Sequence, residues 1–124
     1  MVEKNFNIYD LPIEVCSTNP LTGFFRDGCC SNSSGDSGEH LLCALVNNEF
    51  LKFSFNQGND LITPRPEFNF SGLKDGDRWC LCTDRWIESM KNNAAPKVIL
   101  KSTNKLVLKK IEFKILKQFA IDLN

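Results

Sequence analysis

A chain of 124 residues, 42% apolar and 24% charged with ten phenylalanines, has the length of one domain and a composition that excludes a disordered polypeptide. No apolar run approaches the ~20 residues of a bilayer-spanning helix, and a net charge of zero excludes a uniformly basic or acidic protein. The charge is segregated, however: residues 1–90 carry seven basic and thirteen acidic side chains, and residues 91–124 carry eight lysines and two acids.

The opening Met1-Val-Glu-Lys-Asn5 has no basic run followed by an apolar stretch, so the expectation is a cytoplasmic protein without a secretory leader. In a reducing compartment Cys16, Cys29, Cys30, Cys43, Cys80 and Cys82 are expected as free thiols, metal ligands or a redox site, not as disulfides. Ser31-Asn-Ser-Ser-Gly-Asp-Ser-Gly38 is a run of small polar residues and reads as an exposed loop. Leu41–Val46 is a short, continuous apolar run, most simply a buried strand. Asn47 or Asn48 then caps a helix running to about Gln57. Phe50, Leu51 and Phe55 form its buried side, Lys52 lies outside, and Gly58 supplies a left-handed stop.

Residues 59–70 are extended, because Pro64 and Pro66 each remove a donor and restrict the residue before them. Lys74-Asp-Gly-Asp77 is a turn by its chemistry. Arg78–Cys82 alternates as a strand, with Trp79 and Leu81 on one face and Cys80 and Cys82 on the other. Thr83 or Asp84 caps the next helix, whose Trp86, Ile87 and Met90 point inward and which ends near Asn93, before Ala94-Ala-Pro96. Lys97–Ser102 reads as a strand, Thr103-Asn-Lys105 as a turn, and Leu106–Lys110 as a strand or the run-in to a last helix. On that helix Ile111, Ile115, Phe119 and Leu123 form one stripe, with Lys110, Lys114 and Lys117 largely off it. The C-terminal lysines therefore read as a solvated face. The arginines that a nucleic-acid surface favours are missing there. Strands and helices mix without strict alternation, which predicts an α+β class. The expected architecture is a single domain over residues 1–124, with a mixed or antiparallel sheet, about three helices and long polar loops.

Cys16-Ser, Pro20-Leu-Thr-Gly-Phe-Phe-Arg-Asp-Gly-Cys-Cys30, Asp36-Ser-Gly-Glu-His40, Cys43-Ala44, Glu49-Phe-Leu51 and Gly58-Asn-Asp-Leu61 form a distinctive set of blocks. Thr63-Pro64, Gly72-Leu-Lys-Asp-Gly-Asp-Arg-Trp-Cys-Leu-Cys82, Arg85-Trp86 and Ala95-Pro96 continue it. Together they resemble the bacterial family called domain of unknown function 2237, over residues 16 to about 122. Asn93 stands where a glycine often stands in that pattern, a mild departure because Asn tolerates the left-handed conformation. The resemblance carries no activity with it.

Chemistry must therefore be read from the residues. Arg26, Asp27, Asn59, Asp60, Asp77, Arg78, Trp79 and Arg85 are polar or amphipathic groups beside strands and glycine turns. There they either brace loops or face a small-molecule or anionic ligand. A ligand-binding pocket built from residues 22–30, 36–43, 57–63 and 76–86 is the leading expectation, and a thiol- or metal-dependent enzyme is the alternative. Cys29, Cys30, His40, Cys43, Cys80 and Cys82 offer soft ligands for zinc or iron, although no Cys-x-x-Cys knuckle is present and no cofactor is expected. His40 is the single histidine, so any Cys–His couple must use it. Cys29 or Cys30 is its expected partner, because on a regular strand residues 40 and 43 face opposite sides. A histidine that merely ties the polar loop down is the simpler reading.

Overall fold

The fold, a computed structural model, is described for residues 5–123; residues 1–4, which include most of the stretch read above as lacking a leader, and Asn124 lie outside the described residues. The elements in order are β1 (His40–Leu45), α1 (Asn48–Asn56), β2 (Arg78–Cys82), α2 (Thr83–Lys91), β3 (Lys97–Val98) and α3 (Phe113–Leu116), with short 3-10 turns between and after them. The class is α+β. The three strands form one antiparallel sheet in the order β2-β1-β3. No described helix is long and apolar enough to cross a membrane.

Strand periodicity gives the sheet two different faces. Leu42 and Ala44 of β1 pair with Leu81 and Trp79 of β2. These four side chains join Phe50 and Leu51 of α1, Trp86 of α2, and Val98, Leu100, Val107, Ile111 and Leu116 in one buried core. Cys43 pairs with Cys80 on the opposite face, which the irregular segment 5–38 covers. The register slips between His40 and Leu42, so Leu41 is extra and His40 lies opposite Cys82. That slip overturns the simple alternation argument: one inserted residue brings His40 back to the cysteine face.

α1 is capped as its sequence suggests, the Asn47 side chain accepting from the Phe50 N–H at 2.8 Å. Its inward face differs in one place, since Phe55 is half exposed and Ser54 is buried, its Oγ donating to the Asn59 carbonyl. α2 starts one residue earlier than expected, with Cys82 itself in the cap position and no side-chain cap bond. Thr83 Oγ1 instead donates to the Glu39 carbonyl. Asn93 has φ +57°, the left-handed conformation an asparagine tolerates.

The C-terminal third departs most from the sequence reading. β3 stops at Val98, because the Leu100 and Lys101 N–H groups turn to donate to the Asp122 carboxylate. Leu106–Lys110 is not a strand. Residues Lys105–Lys109 form a 3-10 helix started by the Asn104 side chain, which accepts from the Leu106 N–H. The last helix is one α turn followed by a 3-10 turn at Lys117–Phe119, because Ile121 donates to the Val98 carbonyl and the chain is drawn back to the sheet edge. The expected stripe is only partly inward: Ile111 is buried, Ile115 and Phe119 are half-buried, and Leu123 is exposed.

Candidate thiol site

Four cysteines meet under the N-terminal segment. Cys43 and Cys80 are cross-strand partners, and segment 5–38 delivers Cys16 and Cys30 onto them. The expectation of six reduced thiols is corrected here. Cys16 is bonded to Cys43 and Cys30 to Cys80, with Cα separations of 5.7 and 5.3 Å, comfortably within the span of a disulfide. Cys30, Cys43 and Cys80 are thus not free-thiol candidates, and the free thiols are Cys29 and Cys82, both half-buried. The Cys16, Cys30 and Cys80 sulfurs all lie within 4.8 Å of one another, so the two bridges are in contact. Ile13, Leu45 and Ile99 surround them. Threonines complete the backbone pairing at this layer: Thr22 Oγ1 accepts from Cys80 N–H and Thr103 Oγ1 from Cys43 N–H.

One end of the same face holds a second constellation. Asp36, its carboxylate 2% exposed, accepts from the His40 backbone N–H through one oxygen and pairs with His40 Nδ1 through the other, both at 2.8 Å. A carboxylate oxygen accepts, so Nδ1 donates and Nε2 of the neutral ring keeps its lone pair. Nε2 has no hydrogen-bond partner among the described residues, and the side chain is 41% exposed. Gly38 lies against the ring, its missing Cβ position falling 2.7 Å from Cε1. Directly across the ladder stands Cys82, at the head of α2. Opposed residues in an antiparallel pair put their Cβ atoms about 5 Å apart on the same face. No hydrogen bond joins the ring to the Cys82 sulfur; what the structure gives is the pairing of the two residues across the ladder.

The two free thiols have unlike surroundings. Burial pushes the Cys29 thiol up from its ordinary value, and the nearby Asp27 carboxylate adds to the rise. Beside Cys82, Glu39 and Asp84 both pair with Lys110 Nζ at 3.2 Å, which raises the Lys110 ammonium through those contacts. A groove of about 470 Å³ begins at Asp84 in the first turn of α2 and runs past Ile87, Lys91, Lys110 and Ile115.

The other polar candidates are bound up in their own turns. Asp27 accepts from the Cys29 N–H, Asp77 from the Lys74 N–H, and Asp60 from the Ile62 and Thr63 N–H groups. Bonds to Thr63 chiefly hold the Asp60 carboxyl below its ordinary value. Asn59 engages Ser54 through its backbone. Arg26, at φ +54°, donates to the Gly23 carbonyl and lies 5.3 Å over the buried Trp79 ring. Arg78 is exposed at the start of β2, and Arg85 bridges the Gln57 carbonyl and Glu88.

A family model described as an uncharacterised protein conserved in bacteria, domain of unknown function 2237, matches residues 6–120. The chain belongs to this family. No curated protein matches it. The match spans both the cysteine layer and the His40 end of the sheet. Asp36 entered the sequence reading only as part of the block 36–40 and the pocket range 36–43, not as a candidate of its own, although a carboxylate four residues ahead of the only histidine was the available signal. The pairing of Cys82 with His40 had no local signal, since it depends on a register slip in β1.

Proposed function

We propose that the protein is a thiol-dependent enzyme, with Cys82 as nucleophile and His40 as its proton acceptor. The supporting observation is the buried Asp36 carboxylate, which grips His40 twice and leaves Nε2 without a partner, on the residue that pairs with Cys82 across the ladder. Burying a carboxylate is costly unless its partners are well placed, and here both oxygens serve one histidine. In the reaction the Cys82 thiol proton passes to Nε2. Sulfur then forms a bond to an electrophilic carbon or sulfur of the substrate, and the leaving group departs with its electron pair and takes the proton from the imidazolium. Cys82 occupies the N-cap position of α2 and is one of the two cysteines left out of the disulfides. The carboxylates Asp27, Asp60 and Asp77 are engaged by backbone N–H groups of their own turns, so the thiol reading outranks the anion clamp.

The test is iodoacetamide labelling of the native protein from pH 6 to pH 9, read by peptide mapping. Cys82 should alkylate first near neutrality. Cys29 should lag and catch up only at alkaline pH, because its raised pKa leaves less thiolate at any given pH. His40→Ala should slow Cys82 by on the order of tenfold without changing Cys29. Equal rates at the two cysteines, or a Cys82 rate indifferent to His40→Ala, would sink the proposal.

A further inference from the structure

We infer that the four buried cysteines form a redox-gated zinc site: two disulfides when oxidised, and a tetrathiolate for one Zn²⁺ when reduced. The site is separate from Cys82 and His40, so neither proposal depends on the other. Three of its sulfurs, from Cys16, Cys30 and Cys80, already lie within 4.8 Å of one another, and the fourth, Cys43, is bonded to Cys16. Zn–S bonds of about 2.3 Å at tetrahedral angles place sulfurs ~3.8 Å apart, a change that side-chain rotation supplies once the S–S bonds are open. The ligand set comes from four separate points of the chain that the fold itself brings together. Cys43 and Cys80 are held by the strand ladder, and Cys16 and Cys30 by the backbone of segment 5–38, where the Cys16 N–H donates to the Gly28 carbonyl and the Asn104 amide donates to the Cys30 carbonyl. These bonds do not involve sulfur, so after reduction they still favour the same convergence, which binding of the metal then fixes. Water has little access to the cluster, as all four residues are no more than 3% exposed.

The chemistry balances. Two molecules of a dithiol reductant each supply two electrons and two protons and become disulfides, opening Cys16–Cys43 and Cys30–Cys80 to four thiols. Zn²⁺ then displaces four protons and binds four thiolates. In a reducing compartment the metal-bound state is the one the site would adopt. In an oxidising setting the same residues staple the segment covalently.

The experiment uses the full chain, reduced under anaerobic conditions and freed of metal, then titrated with Co²⁺ and separately with Zn²⁺. One equivalent of Co²⁺ should give the intense d–d and sulfur-to-metal bands of tetrahedral tetrathiolate cobalt, bleached by one equivalent of Zn²⁺. Thiol labelling of the Zn²⁺ form, with peptide mapping, needs no mutant. Cys16, Cys30, Cys43 and Cys80 should be protected, while Cys29 and Cys82 label. Cys80→Ser should abolish the cobalt spectrum, and Cys82→Ser should leave it intact. Failure of the reduced wild type to bind either ion overturns the inference. So does protection of Cys29 or Cys82 in place of the four, or a cobalt spectrum that survives Cys80→Ser.

Discussion

At the scale of single residues, the site depends on how tightly one imidazole is held. Asp36 fixes the His40 ring from one side and Gly38 lets it lie close on the other. A methyl group at residue 38 would stand 2.7 Å from Cε1, well inside van der Waals contact. The ring is the far end of a side chain, so it can swing away at little cost to the fold. Gly38→Ala should therefore change stability by no more than about 1 kcal/mol in urea unfolding. It should also cut Cys82 alkylation toward the level of His40→Ala. An unchanged alkylation rate would mean that the ring's position does not govern the thiol. His40 and Cys82 were both legible as candidates because thiols and a lone histidine are conspicuous by type. Their pairing was not, since it is set by the extra residue Leu41, which no periodicity in a six-residue strand announces.

At the scale of elements, two asparagines cap helical turns in the same way but have unequal duties. Asn47 is a local cap, accepting one bond from Phe50 N–H. Asn104 is fully buried. It accepts from Leu106 N–H while its amide donates to the Asn5 side chain and to the Cys30 carbonyl, tying the 3-10 helix Lys105–Lys109 to the N-terminal segment. Asn47→Ala should cost about 1 kcal/mol, the usual loss for a cap. Asn104→Ala should cost roughly 2–4 kcal/mol, because it also strands buried partners and leaves a void. Chemical unfolding of the two variants checks the order, and equal losses would deny Asn104 its bridging role. The contrast mirrors what sequence could reveal. β1, α1, β2 and α2 were legible because their apolar runs and turn residues are local, although the cap expected at Thr83 or Asp84 falls instead on Cys82. The region after Val98 was not. Its backbone is claimed by distant groups, the Asp122 carboxylate at Leu100 and Lys101 and the Val98 carbonyl at Ile121, and such long-range partners override local propensity.

At the scale of the whole molecule, residues 5–38 contain no helix and no named strand, yet they cover one face of the sheet. What fastens them is the disulfide pair and a set of hydrogen bonds to the rest of the chain, among them Thr22 to Cys80, Asn7 to Lys101, Ser102 to Val15 and Asn104 to Asn5. The bridges close loops of 27 and 50 residues, and chain entropy assigns each roughly 3–4 kcal/mol, less than additively because the loops overlap. That is a large share of the ~5–15 kcal/mol that holds a small domain together. Segment 5–38, lacking regular structure of its own, is where the loss will show first, as sub-global opening rather than collapse of the sheet and helices. Reduction without metal should lower the melting temperature and expose residues 17–38 to limited proteolysis, while cleavage within β1, β2 and α2 stays slow. Zn²⁺ added to the reduced protein should restore both protection and melting temperature, and a chelator should remove them again. If reduction alone leaves proteolysis of residues 17–38 unchanged, the hydrogen bonds suffice and the cysteines are not what fastens the segment.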